Sequence, residues 1–196
     1  MKGFSLVELL VVLALIGLLV MIGSTNLREA ERQREFENFA RETVSLIEKC
    51  RWKAMNERSY AGIVFQKSGD LYEATLYQDG NSNGIRLADV LSGKDPAFYR
   101  TVVLQRASGD IEAGVLQNPP VAQIPPKTGT INDTDAVKFG KSDILSFSPN
   151  GDSSSGTLYL ACRSQRQMYA LVVYGATARL TLWKYSNFQW QTVGDR

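Results

Sequence analysis

The chain opens with Met1-Lys2-Gly3-Phe4-Ser5-Leu6-Val7-Glu8, and an unbroken apolar run continues from Leu9 to Ile22. The stretch from Phe4 to Gly23 holds 20 residues, which make about 30 Å of helix and can cross the hydrocarbon core of a bilayer. Lys2, on the short N-terminal flank, favours an orientation with that end in the cytoplasm. The sequence therefore predicts one transmembrane helix, with the body of the protein beyond the inner face of the membrane.

Glu8 is the only ionisable residue within this apolar stretch. By helical rise it lies only about 6 Å into the predicted span. A charged side chain at the middle of a membrane helix costs roughly 2.5–3.5 kcal/mol on insertion scales, and less near the interface. Two interpretations stay open: a carboxylate that snorkels to the headgroups, or a functional acid whose cost is compensated by a partner.

The position of the small residue separates this segment from an ordinary secretory signal. Such a signal has a shorter apolar stretch followed by a small-residue cleavage site. Here no such site follows the apolar run, and Gly3 precedes it. The order Lys2-Gly3, then Phe4-Ser5-Leu6-Val7-Glu8, closely resembles the class III signal of type IV pilins and type II secretion pseudopilins.

This resemblance implies a processing site and a role for the acid. The prepilin peptidase/methyltransferase would cleave between Gly3 and Phe4 and methylate the new amine of Phe4. The apolar helix would be retained as the filament core. Glu8 would pair with the N-terminal ammonium of a neighbouring subunit, so the implied partners are other pilins or pseudopilins.

The composition narrows the classes of function. The chain has 196 residues and a formal net charge of +2. This overall charge is too small to favour nucleic-acid binding. Histidine is absent, which excludes Ser-His-Asp and Cys-His nucleophile systems, histidine general bases and zinc sites that contain histidine. No paired-carboxylate constellation is recognisable either. We therefore expect neither an enzyme nor a cofactor.

Cys50 and Cys162 are the only cysteines. In an oxidising periplasm they could form one disulfide across a long loop. Alternatively, both are buried free thiols, because cysteine packs as a small hydrophobe. The spacing alone leaves both interpretations open.

The rest of the chain predicts one long helix followed by strands. An apolar stripe at steps of three and four residues continues the helix to Arg58: Leu27, Phe36, Phe39, Ala40, Val44, Ile47, Cys50, Arg51, Ala54 and Met55. Runs rich in β-forming residues predict an antiparallel meander over 60–65, 71–77, 98–104, 144–147, 157–162, 168–173 and 178–183. An α+β fold follows, with the apolar face of the sheet packed on the helix stripe.

A proline-rich excursion interrupts the strands. Four of the six prolines fall within one short segment, at Pro119, Pro120, Pro125 and Pro126. From about 113 to 142 we expect an irregular segment, which is unusually long for a compact domain. Such segments are either functional surfaces or disordered.

The stretch from Asp79 to Gly84 matches the first six positions of an EF-hand-type calcium loop. The candidate ligands are Asp79, Asn81, Asn83 and Asp89. The bidentate glutamate of position 12 is missing, since Val90 stands there. Because Asn-Gly is also a strong turn signal, we favour a structural turn over a calcium site.

The same segment carries a second resemblance. It resembles the Asp-x-Asn-x-Asn/Asp-Gly segment of the GspH/FimT (FimU-like) branch of pseudopilins, and the residues that carry the resemblance are Asp79, Asn81, Asn83-Gly84, Arg86, Asp89 and Leu91. The stretch 144–151 and the following strand are similar to that branch's Phe-x-Pro-x-Gly turn and final strands. The Gly-Arg step that often ends the branch is replaced here by Gly175-Ala176-Thr177-Ala178-Arg179, and the segment from about 93 to 142 matches nothing in it.

The branch includes a DNA-binding competence pilin that uses basic residues near its C-terminus. The basic residues in the C-terminal part of this chain include Arg163, Arg166, Arg179 and Lys184, which are the candidate DNA contacts. Phosphate contact needs clustered, exposed cations, with aromatic rings for stacking on bases. The small excess of positive charge favours an ordinary solvated hairpin.

We therefore expect a type IV pilin fold with a structural function, a minor pilin or pseudopilin near the tip of a pilus or a type II secretion pseudopilus. The alternative is a DNA-binding competence pilin. The predicted organisation is a leader at 1–3, a transmembrane helix at 4–23, its amphipathic continuation at 24–58 and a periplasmic β-rich domain at 59–196. The protein would reside in the bacterial inner membrane before assembly into a filament.

Overall fold

A computed structural model describes the backbone of residues 5–195, and the side chains of these residues apart from 19–26 and 195. The chain divides into two compact units, Met1–Phe39 and Ala40–Arg196. Helix α1 (Leu6–Glu57) belongs to both units. The leader at 1–3 and Phe4 lie outside the described residues.

Helix α1 forms where the sequence lacks proline and ends at a defined turn. Arg58 takes a positive φ of 51°, and the Ser59 N–H donates to the Ala54 carbonyl at 3.3 Å, an ending typical of helix C-termini. In the last turn the Lys53 ammonium pairs with the Glu57 carboxylate. The helix thus ends within one residue of the predicted boundary.

The predicted apolar stripe of α1 is mostly buried. Seven of its ten residues are buried, namely Phe36, Phe39, Ala40, Val44, Ile47, Cys50 and Ala54. The prediction that the stripe is buried was wrong at Leu27, which is 67% exposed, and at Met55, which is 42% exposed. Arg51 is half-buried. Within the second unit, the buried side of the helix packs on the sheets and contributes to the core of the domain.

The second unit contains two antiparallel sheets. The first has the order β3-β2-β1-β6, and the second has the order β10-β9-β8-β7-β4, with β5 also paired to β7. The elements are β1 (Ala61–Ser68), β2 (Leu71–Gln78), α2 (Leu87–Leu91), β3 (Val102–Val103), β4 (Ile111–Ala113), β5 (Val137–Lys138), β6 (Ile144–Phe147), β7 (Gly156–Cys162), β8 (Gln167–Tyr174), β9 (Arg179–Ser186) and β10 (Gln189–Asp195). The α+β prediction is confirmed, and the arrangement is consistent with a pilin fold.

The expectation of a single meander was wrong. β6 returns to β1, so that Ala61 pairs with Phe147 and Val64 with Ile144. The predicted strand at 98–104 shrinks to two residues, while β4, β5, β10 and helix α2 were not predicted. These pairings join segments that lie far apart in the sequence, where local propensity carries little information about the partner.

The excursion at 113–142 packs as a cover over one face of the second sheet. Four of its side chains are buried in one cluster with residues of β7, β8 and β9: Val115, Leu116, Val121 and Ile131. The indole N–H of Trp190 donates to the Ala122 carbonyl at 2.7 Å. Each fully buried aliphatic side chain contributes about 1.5–3 kcal/mol. The segment is held by this apolar packing, by the pairing of β5 with β7 and by the hydrogen bond from Trp190.

Candidate functional site

The first described turns of α1 present apolar side chains on every side. The large apolar residues between Leu6 and Leu18 are each between 45% and 75% exposed. A helix that is hydrophobic all round is typical of apolar surroundings on all sides. Among the described residues, however, no helix reaches the length and hydropathy that a membrane crossing requires.

Glu8 is the one charged side chain in this exposed apolar part of the helix. It lies in the first turn of α1, and its backbone N–H donates to the Ser5 carbonyl at 3.0 Å. A carboxylate in the first turn interacts favourably with the positive end of the helix dipole. Gly3 and Phe4, which would flank the cleavage site, lie outside the described residues.

The candidate calcium loop is closed by its own hydrogen bonds. The carboxylate of Asp79 accepts backbone N–H bonds from Asn81 at 2.9 Å, Ser82 at 2.8 Å and Gly84 at 2.7 Å. The Asn83 amide donates to Asp89 Oδ2 at 3.0 Å. Because N–H donors already occupy the Asp79 oxygens, the geometry supports a structural turn.

A third buried acid accepts hydrogen bonds from the backbone of this loop, and the sequence analysis did not predict it. Asp95 is 1% exposed, and it accepts the backbone N–H of Gly80 at 3.1 Å and that of Arg86 at 3.4 Å. Hydrogen bonds from Asn83 and Asn81, together with nearby Lys94, hold the pKa of Asp89 below its usual range. Within the described residues, no group of three or more acidic or cysteine side chains is arranged to hold a metal ion.

Addition of calcium is expected to leave the melting temperature of the chain unchanged. A ligand at 100 times its dissociation constant would stabilise the fold by about 2.7 kcal/mol, which a thermal melt detects easily. The melt is recorded with calcium and with a chelator, and Asp79→Ala serves as the matched variant. A calcium-dependent rise that disappears in Asp79→Ala would contradict the structural interpretation.

Gly80→Ala is expected to destabilise the fold by about 3 kcal/mol, the upper end of the usual range for overpacking. A Cβ at this position would lie 2.1 Å from the Lys94 carbonyl oxygen, and a backbone atom cannot move aside as a side chain can. Gly114→Ala is the control, because its Cβ would meet only ordinary contacts at 3.4 Å or more. Urea unfolding measures both variants, and equal stabilities would contradict the argument.

The four candidate DNA-contacting cations do not gather at one point. Arg163 and Arg166 lie in the turn between β7 and β8, whereas Arg179 begins β9 at the opposite end of these strands. The Arg163 guanidinium pairs with the Glu112 carboxylate, and Arg179 lies 4.7 Å from the ring centre of Tyr174. Lys184 is the sixth of the eight residues of β9 and lies over its cross-strand partner Tyr169, near the same end of the sheet as Arg163 and Arg166. The sheet therefore separates Arg179 from the other three cations.

Cys50 and Cys162 are both buried free thiols in the structure. Cys50 lies on α1 and Cys162 ends β7. Burial is the main cause that raises the pKa of each thiol above its usual value. The thiolate is the reactive form, and a raised pKa lowers its population. Both thiols are therefore unreactive in this structure.

A polar cleft of about 480 Å³ lies between the β1–β2 turn and the start of the excursion. Its lining carries both signs of charge, including Lys67, Asp70, Glu112 and Arg163. At its wall the Tyr72 hydroxyl donates to Asp135 Oδ1 at 2.7 Å. Burial, and then this hydrogen bond, raise the pKa of Tyr72 to about 12.

The stability of the wild type is expected to fall more steeply than that of Tyr72→Phe between pH 10 and 12. Above pH 10 the unfolded chain releases the Tyr72 proton while the folded chain retains it, so ionisation favours unfolding. At pH 8 the variant should lose only about 1 kcal/mol, the net value of one hydrogen bond. Urea unfolding across this pH range measures the difference, and Tyr60→Phe, at an exposed tyrosine, is the control. Parallel pH profiles for wild type and Tyr72→Phe would contradict the assignment.

Comparison with known families finds a match at the N-terminus. The family described as the prokaryotic N-terminal methylation motif matches residues 1–24. Comparisons with curated proteins and with solved structures give no significant match. The motif is a type IV prepilin-like signal and supports a type IV pilin-like protein.

The motif also bears on function. It suggests a pilin or pseudopilin subunit, which is a structural component and not an enzyme. It implies processing by a prepilin peptidase and assembly with other pilin subunits. A membrane-anchored subunit of a pilus or pseudopilus is the location that such a motif implies.

Proposed function

We propose that this chain is a minor pilin or pseudopilin of the GspH/FimT branch, a structural subunit near the tip of a type IV pilus or a type II secretion pseudopilus. The observation that carries the proposal is the N-terminal motif at residues 1–24. The resemblance of the Asp79–Leu91 segment to that branch supports the assignment to a minor subunit. The α+β arrangement of helix and antiparallel sheets is compatible with it.

The apolar N-terminal helix has two successive roles in this proposal. Residues 4–23 hold the subunit in the inner membrane, with Lys2 on the cytoplasmic side and the β-rich domain in the periplasm. Assembly then transfers the helix into a filament, where its apolar side chains pack against neighbouring helices. The large apolar residues exposed on every side between Leu6 and Leu18 support both roles, because either environment covers the whole helix.

Glu8 sets the axial position of the subunit in the filament. Its carboxylate pairs with the methylated ammonium of Phe4 in a neighbouring subunit. In apolar surroundings an unpaired carboxylate is costly, so every register that leaves Glu8 without its partner is penalised. The acid therefore contributes to assembly through specificity as well as attraction.

Deletion of the gene tests the proposal and separates its two forms. A pilus subunit should be needed for surface pili and twitching, whereas a pseudopilus subunit should be needed for release of secreted enzymes. Complementation with the wild-type chain is the control, and the mature chain should be detectable in sheared filaments. Normal piliation and normal secretion in the deletion strain, with no chain in the filaments, would contradict the proposal.

A further inference from the structure

The excursion at 113–142 contains the sequence pattern that accepts N-linked sugars, Asn132-Asp133-Thr134. The pattern consists of an asparagine, any residue except proline, and then a serine or threonine. The chain has nine asparagines, and none of the other eight has a hydroxyl residue two positions later. Because the pattern is short, its place in the fold decides whether an enzyme can use it.

The three residues form an exposed loop between two buried anchors. All three are exposed, whereas Ile131 is 2% exposed and Ala136 is fully buried. The Ile131 N–H donates to the Val121 carbonyl, and the Tyr159 N–H donates to the Ala136 carbonyl, both at 2.8 Å. The fold therefore presents the pattern to solvent, and a bulky group attached there displaces no side chain of the core.

The two residues that define the pattern have free polar groups. By contrast, the Asp133 carboxylate accepts the Asp135 N–H at 3.0 Å and also forms a salt bridge. The Asn132 side-chain oxygen accepts the Thr130 hydroxyl at 2.9 Å, which leaves its amide nitrogen available. Among residues 5–195, no hydrogen bond uses the Asn132 amide nitrogen or the Thr134 hydroxyl. The loop is thus held in place without these two groups.

The pattern also borders the polar cleft described above. Thr134 belongs to the lining of this cleft of about 480 Å³, so its hydroxyl can be reached from an open surface. The charged residues of the lining comprise two of each sign: Lys67, Arg163, Asp70 and Glu112. These side chains supply both hydrogen-bond donors and acceptors, which suits the hydroxyl groups of an uncharged sugar.

We propose that Asn132 is a site of N-linked glycosylation, with a lipid-linked glycosyl diphosphate as the sugar donor. The amide nitrogen of Asn132 bonds to the anomeric carbon of the sugar, and the bond from that carbon to the diphosphate oxygen breaks. The amide loses one proton to a base of the transferase, and the lipid diphosphate leaves, so no oxidant or reductant is needed. The Thr134 hydroxyl is the second group that the transferase recognises, because the pattern requires it.

The inference rests on the proposed function, which places the β-rich domain in the periplasm, where a membrane-bound transferase meets its lipid-linked donor. Sugar attached to Asn132 would coat the excursion with a bulky, solubilising group. It would lie on the domain, whereas the filament contacts proposed above use the N-terminal helix.

Peptide mapping by mass spectrometry of the full chain, purified from membranes of its native host, tests the proposal. Trypsin cleaves after Lys127 and Lys138, so the peptide 128–138 contains Asn132 as its single asparagine. In the wild type most copies of this peptide should carry the mass of one or more sugars, and fragmentation should place them on Asn132. A wild type with this peptide unmodified, or with sugar only at another residue, overturns the proposal.

Thr134→Ser and Thr134→Ala are the matched pair of variants. Serine keeps the hydroxyl and should keep the sugar, whereas alanine and Asn132→Gln should each lose it. Asn56→Gln changes an exposed asparagine of α1 that has no hydroxyl residue two positions later, and it should keep the sugar. All four positions are exposed, so the variants should fold like the wild type. Equal modification of Thr134→Ser and Thr134→Ala, or sugar that survives Asn132→Gln, overturns the proposal.

The N-terminal peptide of the same digest separates this proposal from the proposed function. In a processed pilin this peptide begins at methylated Phe4, whatever the state of Asn132. A processed chain without sugar overturns only the glycosylation site, whereas a mature chain that begins after Gly23 overturns the proposed function. In intact-mass measurements the sugar adds to the methyl group, and the peptide map assigns each mass to its own residue.

Discussion

Replacement of Gly3 by leucine is expected to leave the chain uncut and to keep it out of filaments. In the proposed processing, the peptidase cleaves between Gly3 and Phe4, and the small residue allows close approach to the backbone at that bond. The uncut variant would retain its first three residues and would not expose the amine of Phe4. Without that amine there is no ammonium for a neighbouring Glu8 to bind, so processing and assembly fail together.

Intact-mass analysis of the membrane fraction measures this result. The wild type should lack its first three residues and carry one additional methyl group, whereas Gly3→Leu should have the full mass. Lys2→Arg, which keeps the charge of the leader and leaves Gly3 in place, is the control and should be processed normally. A mature wild-type chain that begins after Gly23 would contradict the pilin interpretation, because it would identify an ordinary secretory signal.

Glu8→Ala is expected to reduce incorporation into filaments by about two orders of magnitude or more. Loss of one partner from a buried ion pair costs roughly 3–5 kcal/mol, and each 1.4 kcal/mol is a factor of ten in an equilibrium constant. Membrane insertion should not suffer, because the substitution makes the helix more apolar. The β-rich domain, which belongs to the second unit, should keep its fold.

Quantitative immunodetection in sheared filaments and in the membrane fraction measures this effect. Glu31→Ala is the matched control, because it removes the same charged group from an exposed position of the same helix, outside the apolar run. Glu8→Gln, which keeps the size of the side chain, should be depleted like Glu8→Ala. If Glu8→Ala enters filaments at wild-type levels, the carboxylate is a snorkelling bystander and the pairing argument is wrong.

Local sequence patterns determined the elements whose signals lie within one segment. The absence of proline from Phe4 to Arg58 and the repeated apolar stripe predicted the long helix, because helix hydrogen bonds join residues four positions apart. The Gly69-Asp70 turn, which joins β1 and β2, was recognisable for the same reason. The motif from Gly3 to Glu8 indicated a pilin-like protein from the sequence alone, since it depends on a short order of residues.

Only the tertiary structure decided how these elements combine. No local signal pairs β6 with β1, places Asp95 under the Asp79 loop, or lays the excursion over the face formed by β7, β8 and β9. The sequence indicated that 113–142 is irregular, but it did not show that this segment packs as a cover, because that depends on an apolar face built from other strands. Within residues 5–195, no strand pairs with the edge of β10 that faces away from β9, and this is likewise a property of the assembled sheet. A strand carries the same residues whether or not a neighbour pairs with it, and long-range packing alone decides which edges are left open.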